Sequence, residues 1–323
     1  MYSDHPIKVS IVCLTYNHEK FIDRCIEGFL MQKTNFPFEI LIHDDASTDG
    51  TVEKIKHYQR TYPGLIYPLF QKENQMQRGV WLINFIYNYP RARGKYIAFC
   101  EGDDFWTDPF KLQKQADFLD QNPDFVGCYH NSMLVDENGH ILKEKRFTDK
   151  EFVIEQKELI LAKKAMSSPT NMFRKIPELA NLPEPLRNCI GGDSLLYHLL
   201  GFYGKVKYMT GIQPSAYRVH SGGVWSMKPE SMRFEKGIHN LLCFKEHIQL
   251  RLGISHPYAK EINEVILEET CKYLNRCVMN RNFKEYFKIW RQIFQNKKLP
   301  KAYIAYKYIM SQKEMVKKLW KKI

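Results

Sequence analysis

Apolar residues fall in short continuous runs through the first hundred positions, and each run is followed by a stretch of helical periodicity. Residues 7–14 (IKVSIVCL) predict a buried strand, and 19–32 place Phe21, Ile22, Cys25, Ile26, Phe29 and Leu30 on one helical stripe. The pattern then repeats. Residues 38–43 predict a second strand, 44–50 (DDASTDG) a polar loop and 51–60 a helix. Residues 65–70 predict a third strand, 80–89 a third helix and 96–100 a fourth strand. Alternation of this kind implies a mostly parallel sheet covered by helices on both faces.

After a helix over 109–120 the pattern becomes mixed. Residues 125–135 and 140–143 flank Asp136-Glu137-Asn138-Gly139, a hairpin signal. Short strands are expected at 170–173, 205–208 and 215–219, with a helix over 193–200 between them. From about Met232 the chain reads as helices alone, broken near His256-Pro257 and Lys298-Leu299-Pro300. The predicted class is α/β: a Rossmann-like, mostly parallel mixed sheet flanked by helices over 1–231, followed by a helical extension over 232–323.

A hydrophobic content of 44% over 323 residues is enough for a full-sized core. No apolar run approaches the roughly 18–20 residues that span a bilayer, and residues 1–8 lack the apolar centre of a secretory signal, so a cytoplasmic chain is expected. Cys13, Cys25, Cys100 and Cys128 lie in apolar segments and no CxxC pair occurs, which favours buried thiols over zinc.

The net charge of +12 suggests a nucleic-acid partner until it is located. Residues 232–323 carry 20 Lys and Arg against 8 Asp and Glu, which accounts for the whole excess. Nucleic acid is therefore not the expected partner. In the last segment Met315, Val316, Leu319, Trp320 and Ile323 form one stripe interleaved with Lys313, Lys317, Lys318, Lys321 and Lys322. Such a helix either lies in an anionic membrane surface, at the inner face of the cell membrane, or docks on protein.

The chemistry gathers at predicted strand ends. Glu101-Gly102-Asp103-Asp104 follows the fourth strand, where an open α/β sheet places its ligands, and adjacent acids there ask for a cation. Asp44 and Asp45 follow the second strand, and Asp193 stands at a helix start. The turn after the first strand is Thr15-Tyr16-Asn17-His18, so the GxGxxG of a dinucleotide site is missing, and no GxxxxGK[ST] occurs. A sheet that binds phosphates without either loop can neutralise them through Mg²⁺ or Mn²⁺ on carboxylates.

VSIVCLTYN, EILIHDDASTDGT, GKYIAFCEGDDFWTDPFKL, GGDSLLYHL and YRVHSGGVWS follow one another in order. Together they resemble the successive signatures of inverting family 2 glycosyltransferases. The resemblance covers about residues 7–226 and implies a GT-A fold, with a nucleotide-sugar-binding half (1–108) and an acceptor half (109–231). It implies a nucleoside-diphosphate sugar donor, UDP-linked in the first instance, a glycan or lipid-linked acceptor, and Mn²⁺ or Mg²⁺.

The resemblance also implies roles. Tyr16 lies near the base, and Asp45 accepts from base or ribose; loop capping is the plainer reading of Asp45, and Asp44 is structural. Glu101-Gly102-Asp103 is the equivalent of the DxD motif, with Asp104 on the metal, Asp103 on ribose or metal-bound water, and the role of Glu101 open. Asp193 is the general base, although Gly192 stands where the family carries a first acid. His220 approaches metal or diphosphate from a glycine-rich loop, or is a surface residue. Arg78 contacts the diphosphate, or is a solvated helix end. Trp106 and Trp225 stack on a sugar or pack in the core, and Asp108-Pro109 starts a helix. A nucleotidylyltransferase would need a glycine-rich basic loop after the first strand, which LTYNHEKF does not supply. A non-catalytic nucleotide- or glycan-binding protein on the same fold is the remaining alternative. If the terminal helix binds lipid, the full chain partitions into anionic liposomes more strongly than residues 1–299; equal partitioning in a sedimentation assay contradicts it.

Overall fold

Buried runs this short pair side by side, and the computed structural model shows how. It describes residues 6–164, 166–223, 229–295 and 308. The chain divides into two compact units, residues 1–227 and 228–323.

In the first unit β1 (Val9–Thr15), β2 (Phe38–Asp44), β3 (Ile66–Phe70) and β4 (Tyr96–Phe99) are joined through α1 (Ile22–Leu30) and α2 (Thr51–Thr61). They form a parallel run in the order β3-β2-β1-β4. After α3 (Lys111–Gln121) come β5 (Phe125–Tyr129), β6 (Ser132–Val135), β7 (Ile141–Lys143), β8 (Phe152–Ile154) and α4 (Gln156–Ile160). β9 (Met172–Arg174), α5 (Gly192–Leu200), β10 (Lys205–Tyr208) and β11 (Ser215–Arg218) complete the unit. The large sheet continues β4-β9-β5-β10-β8, with β9 antiparallel to both β4 and β5. A second sheet, β11-β6-β7, stands apart from it in pairing. The mixed, mostly parallel α/β class expected from the sequence is the class observed.

The period-two alternation of the strands sets the core. Val9, Ile11 and Cys13 of β1, Ile40 and Ile42 of β2, and Tyr96 and Ala98 of β4 share one cluster with Ile22, Cys25, Ile26 and Phe29 of α1 and Leu112, Ala116 and Leu119 of α3. Val12, Leu41, Ile97 and Phe99, on the opposite face, are equally buried. Full burial of such a side chain is worth about 1.5–3 kcal/mol, so these strand positions tolerate little change. All eight cysteines are free thiols, seven of them buried.

Two expectations are corrected, and two short elements were not foreseen. Residues 80–89 are not a helix: only Asn84–Asn88 coils, as a single π-type turn closed by Tyr89 N–H on Asn84 O at 2.7 Å. The segment is poor in helix formers, and Asn88 spends its amide on Cys13 O and Asn84 Oδ1. Residues 125–135 are two strands in different sheets; the hairpin itself is β6–β7 around Asp136–Gly139, with Gly139 at φ 89°. β8 and α4 went unread, being only three and five residues long.

In the second unit α6 (Glu230–Leu252) packs on α7 (Pro257–Met279), and α7 on α8 (Phe283–Gln295). The expected break at His256-Pro257 is present, with His256 accepting from Tyr258 N–H. A further break at Asn280–Asn282, with Arg281 at φ 54°, was not anticipated. Phe234 stacks on Tyr273 at 4.2 Å, and Lys288 pairs with Glu235 at 2.7 Å. The break near residues 298–300 and the stripe over 301–323 lie outside the described residues, apart from Tyr308. Among the described residues no helix is long and apolar enough to cross a membrane.

Lys111 is fully buried at the start of α3, its ammonium 4.1 Å from the Trp106 ring and 2.8 Å from Gln115 Oε1. Burial drops its pKa to about 7. In the unfolded chain a lysine holds its proton to about 10.4, so between these values the unfolded state binds more protons and stability rises with pH. Buried thiols such as Cys100 and Cys128, pushed up to about 12, act in the opposite direction, so the lysine is isolated by comparison: in urea unfolding the stability of wild type relative to Lys111→Met should rise by about 3 kcal/mol from pH 7 to pH 10.

Candidate active site

The carboxyl ends of β1 and β4 come together because glycine lets them. Gly102 N–H donates to Leu14 O at 2.9 Å, and a Cβ on Gly102 would lie 2.8 Å from Thr15 Oγ1 and 3.0 Å from His18 Nδ1. This close approach carries Glu101, Asp103 and Asp104 up against the turn that follows β1. Ligand oxygens of all three carboxylates lie within 4.8 Å of one another.

Each of the three has a distinct environment. Asp103 Oδ2 lies 3.0 Å from His220 Nε2 and 3.8 Å from His18 Nε2. Burial works to raise the Asp103 pKa and is outweighed by the His220 hydrogen bond and the two imidazoles, so its pKa falls. Asp104 is 2% exposed and accepts Arg218 N–H at 2.8 Å through Oδ1. Burial, then Asp103 and Glu101, push it well above the usual carboxylate range. Glu101 is raised for the same reason, by burial and by the charges of Asp103 and Asp193.

Arg218, at the end of β11, holds this group in place. Its Nε donates to Asp103 O at 2.8 Å, and its Nη1 donates to the carbonyls of Asp136 and Glu137 in the β6–β7 turn. The guanidinium lies over the Phe21 ring at 4.6 Å. Two residues on, His220 meets Phe21 with ring centroids 4.9 Å apart.

Asp193 sits in the first turn of α5, after Gly191 at φ 88°, a conformation glycine adopts without strain. Its carboxylate reaches solvent, yet the protein packed around it raises its pKa; the Ser168 hydroxyl, 3.3 Å from Oδ2, acts in the opposite direction. Ser168 belongs to a short turn, Ser168–Thr170, that Trp106 pins by donating Nε1–H to Pro169 O at 2.8 Å. A Cβ at Gly192 would make ordinary contact with the Phe85 ring at 3.6 Å, so space does not dictate the missing acid.

The other candidate residues stand in distinct surroundings. His220 stands against Asp103, while Asp104 gives one oxygen to a backbone N–H. Asp45 is 2% exposed, and its two carboxylate oxygens accept Gln75 N–H at 2.7 Å and Met76 N–H at 3.1 Å. Burial works to raise its pKa and is outweighed by His43 and these two bonds, so its pKa is lowered. Asp44 accepts from Ser47 N–H and Oγ, which makes it a loop-forming residue. Arg78 starts no helix; it is exposed on the loop that Asp45 pins, paired with Glu73. Tyr16 is half-buried in the turn directly after β1. Trp106 is buried against Phe29, their centroids 4.8 Å apart, and packs in the core rather than facing a sugar. Trp225 lies outside the described residues. Asp108 accepts from Lys114, Phe110 N–H and Gln213 N–H, consistent with a structural turn.

His18, Ser168 and Arg218 are the residues that reading the sequence missed. His18 stands in the same turn that rules out a glycine phosphate loop; the other two carry no local signal.

The donor set fits a divalent cation. Asp103 Oδ1, Asp104 Oδ2 and His18 Nδ1 are buried without a hydrogen-bond partner, and orphaned buried carboxylate oxygens are costly unless a cation meets them. The charge of Asp193 reaches this group through Glu101.

The profile of glycosyl transferase family 2 matches residues 10–175, just over half of the chain. The chain belongs to glycosyl transferase family 2. It is 34% identical over 220 residues to the uncharacterized protein Mb1547 of Mycobacterium bovis, a match covering 67% of this chain and 60% of that one. The chain thus spans about three-fifths of the length of such curated relatives. In fold it is similar to S. aureus TarS 1–349 in complex with UDP, with a TM-score of 0.56 and 17% identity over 83% of this chain and 72% of that chain. It is also similar to mannosyltransferase PcManGT from Pyrobaculum calidifontis in complex with GDP-Man and Mn²⁺, with a TM-score of 0.50 and 13% identity over 94% and 79% of the two chains. At these identities the likeness is one of fold.

A methyl group at position 102 would press on the Thr15 and His18 side chains. Gly102→Ala should lower stability by about 1–3 kcal/mol in urea unfolding, the range for overpacking a tight site.

Proposed function

We propose that this protein transfers a sugar from a nucleoside-diphosphate sugar to a hydroxyl of a glycan or lipid-linked acceptor, with inversion at the anomeric carbon. The observation that carries this reading is the convergence of Asp103, Asp104 and the two imidazoles at the strand ends, with Asp193 held separately by Ser168. Family membership supports the reaction class. UDP in the TarS complex, and GDP-Man with Mn²⁺ in the PcManGT complex, support the donor class and the metal. We take the donor to be UDP-linked.

In this reading residues 1–108 supply the donor side and 109–231 the acceptor side of a catalytic unit, and 232–323 form a basic extension. Asp103 and His220 would hold the ion, Mn²⁺ or Mg²⁺, with Asp104 and Glu101 in the same acidic group. When bound, the divalent ion neutralises the charge that develops on the departing diphosphate. Asp104 keeps its orientation through the Arg218 backbone. Tyr16 borders the base, Asp45 orders the loop that flanks it, and Arg78 on that loop faces the diphosphate once it leaves Glu73.

Asp193 takes the proton from the acceptor hydroxyl as that oxygen attacks the anomeric carbon from the face opposite the leaving group. A raised pKa makes its carboxylate a stronger base than an unperturbed aspartate. One attacking oxygen and one displacement invert the configuration. The cationic stripe over 301–323 suits an enzyme that meets lipid-linked acceptors at an anionic surface.

The test is metal-dependent turnover across a panel of UDP- and GDP-sugars. Asp193→Asn should lose about 10²–10⁴-fold in kcat while still binding UDP, the range for removing a general base. Unchanged turnover in both Asp193→Asn and Asp103→Asn contradicts the assignment. Since the base works only when deprotonated, activity should rise with pH along a limb lying above the ordinary aspartate pKa of about 4. The Ser168 hydrogen bond lowers the Asp193 pKa, so Ser168→Ala should shift that limb to higher pH.

A further inference from the structure

We propose that His18 is a third protein ligand of the metal, forming with Asp103 and His220 a two-histidine, one-carboxylate set that selects Co²⁺ and Mn²⁺ over Mg²⁺. The proposal rests on the reading of this site as metal-binding, and it goes beyond that reading in naming a ligand and a selectivity.

The three residues come from three separate places in the chain: the turn after β1, the acidic loop after β4 and the loop after β11. One donor atom from each falls within 4.8 Å of the others. His220 Nε2 is 3.0 Å and His18 Nε2 3.8 Å from the same Asp103 oxygen. An ion with bonds of about 2.0–2.2 Å to nitrogen and oxygen spaces neighbouring donors by about 3.0–3.5 Å, so small side-chain movements suffice to close the set. The two imidazoles meet edge to face, centroids 6.1 Å apart, instead of stacking.

His18 is held in that position from both sides. Asn17, at φ 54°, donates its N–H to Ser47 Oγ at 2.8 Å and accepts Thr48 N–H through Oδ1 at 2.8 Å, which anchors the turn to the loop after β2. His18 O accepts the N–H groups of Phe21 and Ile22, both at 2.8 Å, which fixes its backbone at the start of α1. The Phe21 ring tilts against both imidazoles, 6.2 Å from His18 and 4.9 Å from His220. Neither ring nitrogen of His18 is spent on a hydrogen bond: Nδ1 is buried without one, and Nε2 faces a carboxylate beyond hydrogen-bonding distance.

The chemistry of the set carries the selectivity. Mg²⁺ takes oxygen ligands and gives up water reluctantly, whereas imidazole suits later first-row ions, whose affinity for nitrogen sites rises from Mn²⁺ to Co²⁺. Two imidazoles on one carboxylate therefore penalise Mg²⁺ relative to Co²⁺ and, less steeply, Mn²⁺.

The experiment titrates the full chain with Mg²⁺, Mn²⁺ and Co²⁺ by calorimetry, each alone and with UDP or GDP, and follows Co²⁺ by its visible absorption. Wild type should prefer Co²⁺ and Mn²⁺ over Mg²⁺ by tenfold or more. His18→Ala should lose at least tenfold in Co²⁺ affinity, change the Co²⁺ spectrum and leave Mg²⁺ binding within about twofold. His18→Gln, which offers an amide oxygen at similar reach, should move the preference towards Mg²⁺, and thermal unfolding checks that both variants fold. The same Co²⁺-to-Mg²⁺ ratio and spectrum in wild type and both variants overturns the role of His18 while leaving the metal reading intact. Failure of wild type to bind any of the three ions, with or without nucleotide, overturns both.

Discussion

Like charges crowded at one end of a sheet are the constraint around which this molecule is built. Glu101, Asp103 and Asp104 lie within a few ångströms of one another in surroundings that disfavour ionisation, and Asp193 adds a fourth carboxyl whose field reaches Glu101. The protein answers part of this itself. Two imidazoles face Asp103, and Arg218 reaches the same loop through its backbone and its guanidinium. Two carboxylate oxygens are nonetheless left without partners. The unpaired remainder is what makes the site receptive to a cation and, through it, to an anionic leaving group.

The framework around the acids is correspondingly stiff. Gly102 allows β1 and β4 to touch, and Asp45 ties the end of β2 to the loop over 74–76. Trp106 fixes the turn that carries Ser168. The carboxyl group of Asp193 is thus oriented by a chain of contacts that begins in the core under α1, where Trp106 meets Phe29. Site geometry of this kind depends on side chains whose own positions are set by packing.

The alternating strands and helices of the first hundred residues were legible because their signal is local: uninterrupted apolar runs bounded by polar turns. The acidic tetrad and Asp193 were legible as chemistry because they follow strand ends or open a helix. The division of labour within the tetrad was not, since whether His220 meets Asp103 or Asp104 depends on how β11 returns beside the acidic loop across more than a hundred residues. The segment over 80–89 misled for a related reason. Its apolar spacing is helical, but the amide of Asn88 reaches across to β1, and a tertiary hydrogen bond outweighs a weak local propensity. The placement of Arg78 at a helix start went with it, since that helix does not form and the residue lies on a loop.

The antiparallel insertion of β9 between β4 and β5 bears on the order in which the chain acquires its parts. The four parallel strands of the first hundred residues set their register against one another and leave the outer edge of β4 to β9. β9 must pair at once with Ile97 and Gly127 through Phe173, closing two long loops before either contact is rewarded. During synthesis the acidic loop is therefore in place before the strand that precedes α5, and the first four strands can pair before the chain carries Asp193.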